Sequence, residues 1–160
     1  KVYGFEPDSI NIKLLNKTIS LNNAWNNFIL TEKAIWKNNE TIAFYEEGTV
    51  ASSAFYNSEH SKKVLIKATT IDSFLKEENL KRLDFIKMDI EGAEIEALEG
   101  AVETIKRHQP SFAIASYHII KGEQTYITLE RFFTTINYPF KTVFFQDGEA
   151  ITYAGHCLNN

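Results

Sequence analysis

The sequence predicts an α/β fold, because short runs of strand-forming residues alternate with runs of helical periodicity along its 160 residues. Between residues 94 and 108, apolar side chains recur at steps of three, four and three, which is the spacing of one helix face. The dipeptide Asp147-Gly148 separates two runs rich in β-forming residues and predicts a hairpin turn. We therefore expect mostly parallel, helix-linked strands first and an antiparallel hairpin at the C-terminal end.

The first strand and helix are predicted from a proline and a capping residue. An apolar strand at residues 2–5 leads towards Pro7, which disfavours helix at the residue before it. Asp8 or Ser9 then supplies a side chain suited to a helix N-cap. Apolar residues at helical spacing follow, and Asn22 marks the predicted end of this helix.

The later elements are predicted from β-forming runs and turn signals. The predicted strands cover residues 28–35, 41–45, 64–68, 84–90, 111–117, 138–145 and 150–154. Thr70 is predicted to cap a helix, and residues 125–136 are predicted to form another. The polar, serine-containing stretch 47–63 is predicted to be a surface loop.

Composition limits the class of protein to a single globular domain, residues 1–160. Hydrophobic residues make up 44% and charged residues 24% of the chain, which excludes a disordered or coiled-coil protein. Seventeen basic residues against twenty-one acidic ones give a net charge of −4, so we expect no nucleic-acid partner. A single cysteine excludes an internal disulfide, and no apolar run is long enough to span a bilayer. We expect a cytoplasmic protein.

Glu6 is a candidate ligand-binding residue, because it lies where the first predicted strand ends. Open α/β sheets bind ligands at the carboxyl ends of their strands, and in nucleotide-binding sheets an acid there accepts hydrogen bonds from ribose hydroxyls. Such an acid usually follows a glycine-rich turn, but no two of the seven glycines form a G-x-G. A solvated acid near a helix start is the alternative interpretation.

A second candidate site surrounds Asp89. Asp89, Glu91 and Glu94 lie within six residues, at the end of a predicted strand and the start of a helix. Such acids can bind a cation or take a proton from a hydroxyl, although Glu94 is expected only to complement the helix N-terminus. His118 follows the next strand and should face the same edge, where a histidine pKa of about 6.5 suits general-base catalysis.

The motifs together resemble the FkbM-type methyltransferases, a branch of the class I enzymes that use S-adenosylmethionine. The matching segments, in chain order, are VYGFEP, ILTEKAIW, TTIDSFL, LDFIKMDIEGAEIEALEGA and PSFAIASYH. The segment IKMDIEGAE is the most specific of them. The resemblance implies a Rossmann-like class I methyltransferase sheet, mostly parallel, with an antiparallel C-terminal hairpin.

The resemblance also implies the site and its chemistry. Glu6 and Pro7 would bind the ribose part of S-adenosyl-L-methionine, and Asp89 would line the same pocket. The reaction would be O-methylation of a hydroxyl on a sugar or small metabolite. Asp89 or His118 would remove the proton of the acceptor, with Glu91 beside them.

Two departures from the family pattern affect these expectations. The family's first strand and glycine-rich loop are missing from these 160 residues, so we expect an N-terminally incomplete methyltransferase domain. The strand before His118 reads AIASY, where the family often has an acid, so no metal site is predicted. A non-catalytic α/β binding module or inactive fragment remains an alternative, favoured by the missing loop. A nicotinamide-dependent (NAD) dehydrogenase is a further one, although the IEGAE segment and the hairpin argue against it.

Overall fold

The computed structural model describes residues 1–22, 26–49, 52–56, 59 and 61–159. The described strands are β1 (Val2–Phe5), β2 (Phe28–Thr31), β3 (Ala34–Ile35), β4 (Thr41–Glu46), β5 (Lys62–Thr69), β6 (Phe85–Met88), β7 (Ser111–Ala115), β8 (Ile119–Ile120), β9 (Glu123–Gln124), β10 (Phe140–Phe144) and β11 (Ala150–Ala154). The helices are α1 (Ser9–Leu21), α2 (Ile71–Glu77), α3 (Glu94–Glu99), α4 (Val102–His108) and α5 (Thr125–Thr135), followed by a short 3-10 helix, His156–Asn159. The mixture of helices and strands confirms the predicted α/β class.

The largest sheet in the described chain has the strand order β10-β11-β7-β6. Strand β6 runs parallel to β7, whereas β11 is antiparallel to both of its neighbours. The predicted C-terminal hairpin is confirmed, because Phe140 pairs with Ala154 and Phe144 pairs with Ala150. Gly148 in the turn has a φ of +90°, a conformation that glycine adopts without strain.

The prediction of one mostly parallel sheet is not matched by the described strands. They form four separate sheets, and four of their seven pairings are antiparallel. The longest pairing joins β4 to β5 in antiparallel register, with Thr41 opposite Lys67. Strand propensity identifies such segments but does not choose their partners, which depend on packing.

The predicted strand 28–35 is divided in the structure. Strand β2 pairs with β1, whereas β3 pairs with β5 in a different sheet. The backbone turns between them, where the amide of Lys33 donates to the carbonyl of Thr31 at 2.9 Å. The amide of Trp36 then donates to the carbonyl of Thr69, which holds β3 against its new partner.

The core lies between the β6-β7-β11 part of the large sheet and helices α2 to α5. Its buried side chains are Ile71, Phe74, Leu75, Met88, Ala97, Leu98, Ala101, Ile105, Phe112, Ile114, Leu129, Phe133, Tyr138 and Ala154. The predicted cap of α2 is confirmed, since the side chain of Thr70 accepts from the amide of Ser73. Among the described residues, no helix is long and apolar enough to cross a membrane.

Helix α1 is capped as predicted but buries no side chain. Asp8 accepts hydrogen bonds from the amides of Ile10 and Asn11, and the helix ends at Asn22. The apolar residues at helical spacing remain largely outside the core; Ile10 is 45% and Leu14 is 58% exposed. The helix is therefore held mainly by its N-terminal end.

Strands β1 and β6 are both edge strands of their sheets. Strand β1 pairs only with β2, and β6 pairs only with β7. Both strands contribute to one core, because Tyr3 and Phe5 lie edge-on to Phe74, with ring centroids 5.1 and 4.7 Å apart. The side chains of β1 and β6 therefore pack against one hydrophobic cluster.

The single helix predicted over residues 94–108 is two helices, α3 and α4, separated at Gly100. A β-carbon at Gly100 would overlap the carbonyl oxygen of Trp36, and the Gly100 carbonyl accepts from the amide of Asp72. Apolar periodicity continues across the break, so the sequence pattern did not reveal it.

Replacing Gly100 with alanine should lower the free energy of unfolding by about 1–3 kcal/mol, the usual cost of overpacking. The reason is the lack of space against the Trp36 backbone. Denaturant unfolding followed by circular dichroism would measure this loss of stability. The control is Glu99→Ala at an exposed neighbouring position, whose free energy of unfolding should stay within about 0.5 kcal/mol of wild type. Equal stability of G100A and wild type would contradict the prediction.

Candidate functional site

A cavity of about 620 Å³ lies between the carboxyl ends of β1 and β6. Glu6 and Pro7 line it after β1, and Asp89 and Glu91 line it after β6. Helix α1 and the loop between β4 and β5 contribute further lining residues, which are Asn11, Leu14, Leu15, Thr18, Gly48, Thr49, Ser52 and Ala54. The structure therefore brings both sequence-predicted segments to one cavity.

Glu6 is held in place by its own chain. Its Oε1 accepts a hydrogen bond from the amide of Asp8 at 2.8 Å, and Oε2 lies 3.5 Å from Nδ2 of Asn11. Burial raises the pKa of the Glu6 carboxyl, and this effect outweighs the hydrogen bond from the Asp8 amide, which lowers it. A carboxylate has about four acceptor positions, so Glu6 retains capacity for a ligand.

Asp8 organises the entrance of the cavity, a role that its sequence position did not predict beyond the helix cap. It is fully buried, and its second oxygen accepts from the amide of Gly48 at 2.9 Å and from Oγ of Ser52 at 2.6 Å. Although burial alone would raise the pKa of Asp8, its hydrogen bonds together lower it below the ordinary value. One carboxylate thus links Gly48 and Ser52 to the start of α1.

A tight turn after β6 presents the two acids to the cavity. Glu91 has a φ of +55° and Gly92 a φ of +95°, which reverses the chain between β6 and α3. Oγ of Ser53 donates to the carbonyl of Glu91 at 3.0 Å and fixes the turn. Glycine suits position 92, because other residues rarely adopt a φ of +95° and a β-carbon there would crowd the side chain of Ile120.

His118 meets these acids from the end of β7, as predicted. Its Nε2 lies 3.8 Å from Oδ1 of Asp89 and 3.6 Å from Oε2 of Glu91. The side chain is only 5% exposed, and His118 does not line the cavity itself. The three candidate catalytic residues are therefore adjacent, with His118 behind the two acids.

Glu94, expected only to complement the N-terminus of its helix, lies in the first turn of α3 and is fully buried. Its Oε1 accepts from the amides of Ile90 and Gly92 and lies 3.5 Å from Nδ1 of His118. Burial raises the pKa of Glu94 to about 7, and the charge of Asp89 adds to that shift.

Burial has the largest effect on the pKa values of two acids of this cluster, Glu91 and Glu94. Burial raises the pKa of Glu91, and the charges of Asp89 and Glu94 raise it further, against a lowering by His118. Lys87 lies beside this group, with its Nζ 3.4 Å from Oδ2 of Asp89, but both side chains reach solvent. An exposed pair of this kind contributes little free energy.

The sequence matches the model of the methyltransferase FkbM domain over residues 1–151. The chain belongs to the FkbM methyltransferase family. The resemblance inferred from the motifs is thereby confirmed. The crystal structure of the methyltransferase FkbM from Methylobacillus flagellatus KT, at 2.20 Å resolution, is similar to 96% of this chain with 25% sequence identity and a TM-score of 0.64. This chain spans 36% of the length of that protein, and no curated protein matches it significantly.

In this FkbM-family chain the specific motif IKMDIEGAE is also the segment that builds the acidic side of the cavity. It supplies Asp89 and Glu91 to the cavity lining, with the buried Glu94 behind them. The cavity lining also includes the segment Lys33, Ala34, Ile35 and Trp36, which adds apolar surface.

Proposed function

We propose that this FkbM-family chain is the larger part of an S-adenosylmethionine-dependent O-methyltransferase. The observation that carries the proposal is the shared cavity of Glu6 and Asp89. Its volume of about 620 Å³ lies within the usual range of small-molecule sites. The acceptor class that fits is a hydroxyl of a sugar or small metabolite, because the acids at one end can receive a hydroxyl proton.

The residues present fit the nucleoside part of the cofactor. Glu6 offers a half-buried carboxylate with acceptor positions left for the two ribose hydroxyls, next to Pro7. The side chains of Ala34 and Ile35 offer an apolar surface for the purine. S-adenosylmethionine, when bound, supplies a methyl group on a sulfonium.

The remaining task of the protein is to orient the acceptor and to remove its proton. Displacement requires the attacking oxygen to lie in line with the transferred methyl group, so the acceptor must be held in one orientation. Asp89 reaches the cavity and is 35% exposed on its side chain, which suits a proton acceptor in contact with substrate. His118 stands next to it and Glu91 completes the wall.

We further propose that one more strand lies between β1 and β6 in the complete domain and joins their sheets into a single Rossmann-like sheet. Two open edges that share one core support this completion, since open edges are rarely left exposed. We expect the present chain to bind the cofactor weakly or not at all. A version extended upstream should bind S-adenosylmethionine; micromolar binding by the short chain would show that the upstream segment is dispensable.

Replacing Glu6 with glutamine should weaken binding of S-adenosylhomocysteine about 10-fold in the extended chain, because a neutral amide makes weaker hydrogen bonds to a diol than a carboxylate does. Isothermal titration calorimetry would measure the change in the dissociation constant. The matched control is Glu32→Gln, which alters an exposed glutamate outside the cavity. Equal affinity of E6Q and wild type would remove Glu6 from the site.

Calorimetry with three ligands separates the alternatives. Binding of NAD in preference to S-adenosylmethionine would favour a dehydrogenase. A non-catalytic binding module is favoured by the missing glycine-rich loop. If the extended chain bound none of S-adenosylmethionine, S-adenosylhomocysteine and NAD, the result would support a non-catalytic binding module.

A further inference from the structure

We propose that Asp89, Glu91 and His118 bind a divalent cation of the first transition row, such as Mn²⁺. One carboxylate oxygen from each acid and Nε2 of the histidine all lie within 4.8 Å of one another. A cation with ligands at about 2.0–2.2 Å keeps its ligand atoms about 3–4.4 Å apart. The three side chains therefore need only small rotations to close on one ion. This proposal revises the expectation, drawn from the sequence, that the chain has no metal site.

The independent observation that points to a ligand is the state of His118. Its side chain is 5% exposed, and in the described part of the chain neither ring nitrogen has a hydrogen-bond partner. The distances of 3.8 and 3.6 Å from Nε2 to Asp89 and Glu91 are longer than hydrogen bonds. Leaving a buried polar atom without a partner is costly, and a cation at Nε2 would remove that cost.

Glu94 is placed to orient the histidine. Its Oε1 lies 3.5 Å from Nδ1 of His118 and is fixed by the amides of Ile90 and Gly92. A carboxylate on one ring nitrogen fixes the proton there and directs the lone pair of the other nitrogen towards a metal. Nε2, the nitrogen opposite Glu94, is the one that faces Asp89 and Glu91.

The charge of the cluster also favours a cation. Three carboxyl groups, those of Asp89, Glu91 and Glu94, surround a single imidazole. Lys87 lines the cavity beside Asp89, but its Nζ approaches Oδ2 rather than the oxygen nearest His118. A dication between the acids would offset their repulsion from inside the cluster.

The donor set selects the type of ion. Carboxylate oxygens suit Mg²⁺ and Mn²⁺, whereas an imidazole suits transition metals, so two oxygens and one nitrogen favour Mn²⁺ and its neighbours over Mg²⁺ or Ca²⁺. Since Asp89 and Glu91 line the cavity and His118 lies behind them, the free coordination positions face the cavity. There the ion could bind an acceptor hydroxyl and lower its pKa. This use rests on the proposed methyltransferase function, but ion binding itself does not.

The test is Mn²⁺ binding to the chelator-treated chain, with free Mn²⁺ measured by electron paramagnetic resonance. We expect one site per chain. Asp89→Asn and His118→Ala should each weaken Mn²⁺ binding at least 10-fold. Glu94→Gln should weaken it about 10-fold or more, because Glu94 orients His118. The matched control is Glu99→Gln on the exposed side of α3, which should bind Mn²⁺ as wild type does.

Asp89→Asn decides the test if His118→Ala does not fold, because the Asp89 side chain is partly exposed and the change conserves its shape. Circular dichroism would verify the fold of each variant. The proposal would be overturned if wild type bound no Mn²⁺, or if D89N bound it as tightly as E99Q. If the chain bound Mn²⁺ but the upstream-extended version bound no S-adenosylmethionine, the metal site would stand and the proposed function would be removed. If the extended version bound S-adenosylmethionine but no Mn²⁺, only the metal site would be removed.

Discussion

Replacing Asp89 with asparagine is expected to lower the rate of methyl transfer by about 10²–10⁴-fold, the usual contribution of a positioned base. Asparagine has the shape of aspartate but cannot accept a proton, and it is a poorer ligand for a cation. Affinity for S-adenosylhomocysteine should change less than about 3-fold, because Glu6 lies on the other side of the cavity and is held by Asp8 and Asn11.

Transfer of a radiolabelled methyl group from S-adenosylmethionine to a panel of sugars and small alcohols would provide the assay, using the upstream-extended chain. His118→Ala should give a loss of the same kind, since its ring contacts both acids. Glu99→Gln serves again as the control. Unchanged turnover in both D89N and H118A would remove these residues from the catalytic assignment.

Replacing Asp8 with alanine is expected to lower the free energy of unfolding by about 2–4 kcal/mol, because it removes a helix cap and leaves four part-buried donors without their acceptor. The lost partners are the amides of Ile10, Asn11 and Gly48 and the hydroxyl of Ser52. Cofactor affinity should also fall, since Asp8 fastens the loop that lines the cavity. Denaturant unfolding at neutral pH would measure the change in stability.

The contribution of Asp8 should depend on pH in a defined direction. Its pKa is lowered in the folded chain, so the stabilisation is present above the ordinary pKa of 3.8 and is lost as the pH falls through the folded value. The stability difference between wild type and D8A should therefore shrink below about pH 4. Asp84→Ala removes an exposed aspartate and should cost less than about 0.5 kcal/mol at any pH. A D8A effect as small as that of D84A would contradict the assignment.

Elements defined by neighbouring residues were predictable from the sequence. The caps at Asp8 and Thr70 were predicted because a helix N-terminus is satisfied by the residue next to it. The C-terminal hairpin was predicted because Asp147-Gly148 selects a tight turn. Asp89 and Glu91 reach the same cavity for a similar local reason, since both belong to one short turn.

Elements that depend on a distant partner were not predictable. The helix over residues 94–108 is broken at Gly100 because the backbone of Trp36 passes close to it. The strand 28–35 is divided because β3 pairs with β5 instead of continuing beside β1. The hydrophobic spacing within each segment does not indicate that the Trp36 backbone or β5 will pack against it.

By itself, the sequence determined the α/β class, the helix caps, the hairpin and the family. The tertiary structure decided that Glu94 is buried, that His118 stands between it and the two cavity acids, and that Glu6 faces the same cavity. The physical reason is that caps and turns are satisfied within a few residues along the chain. The burial and charge environment of a side chain depend instead on segments that fold against it from far away in the sequence.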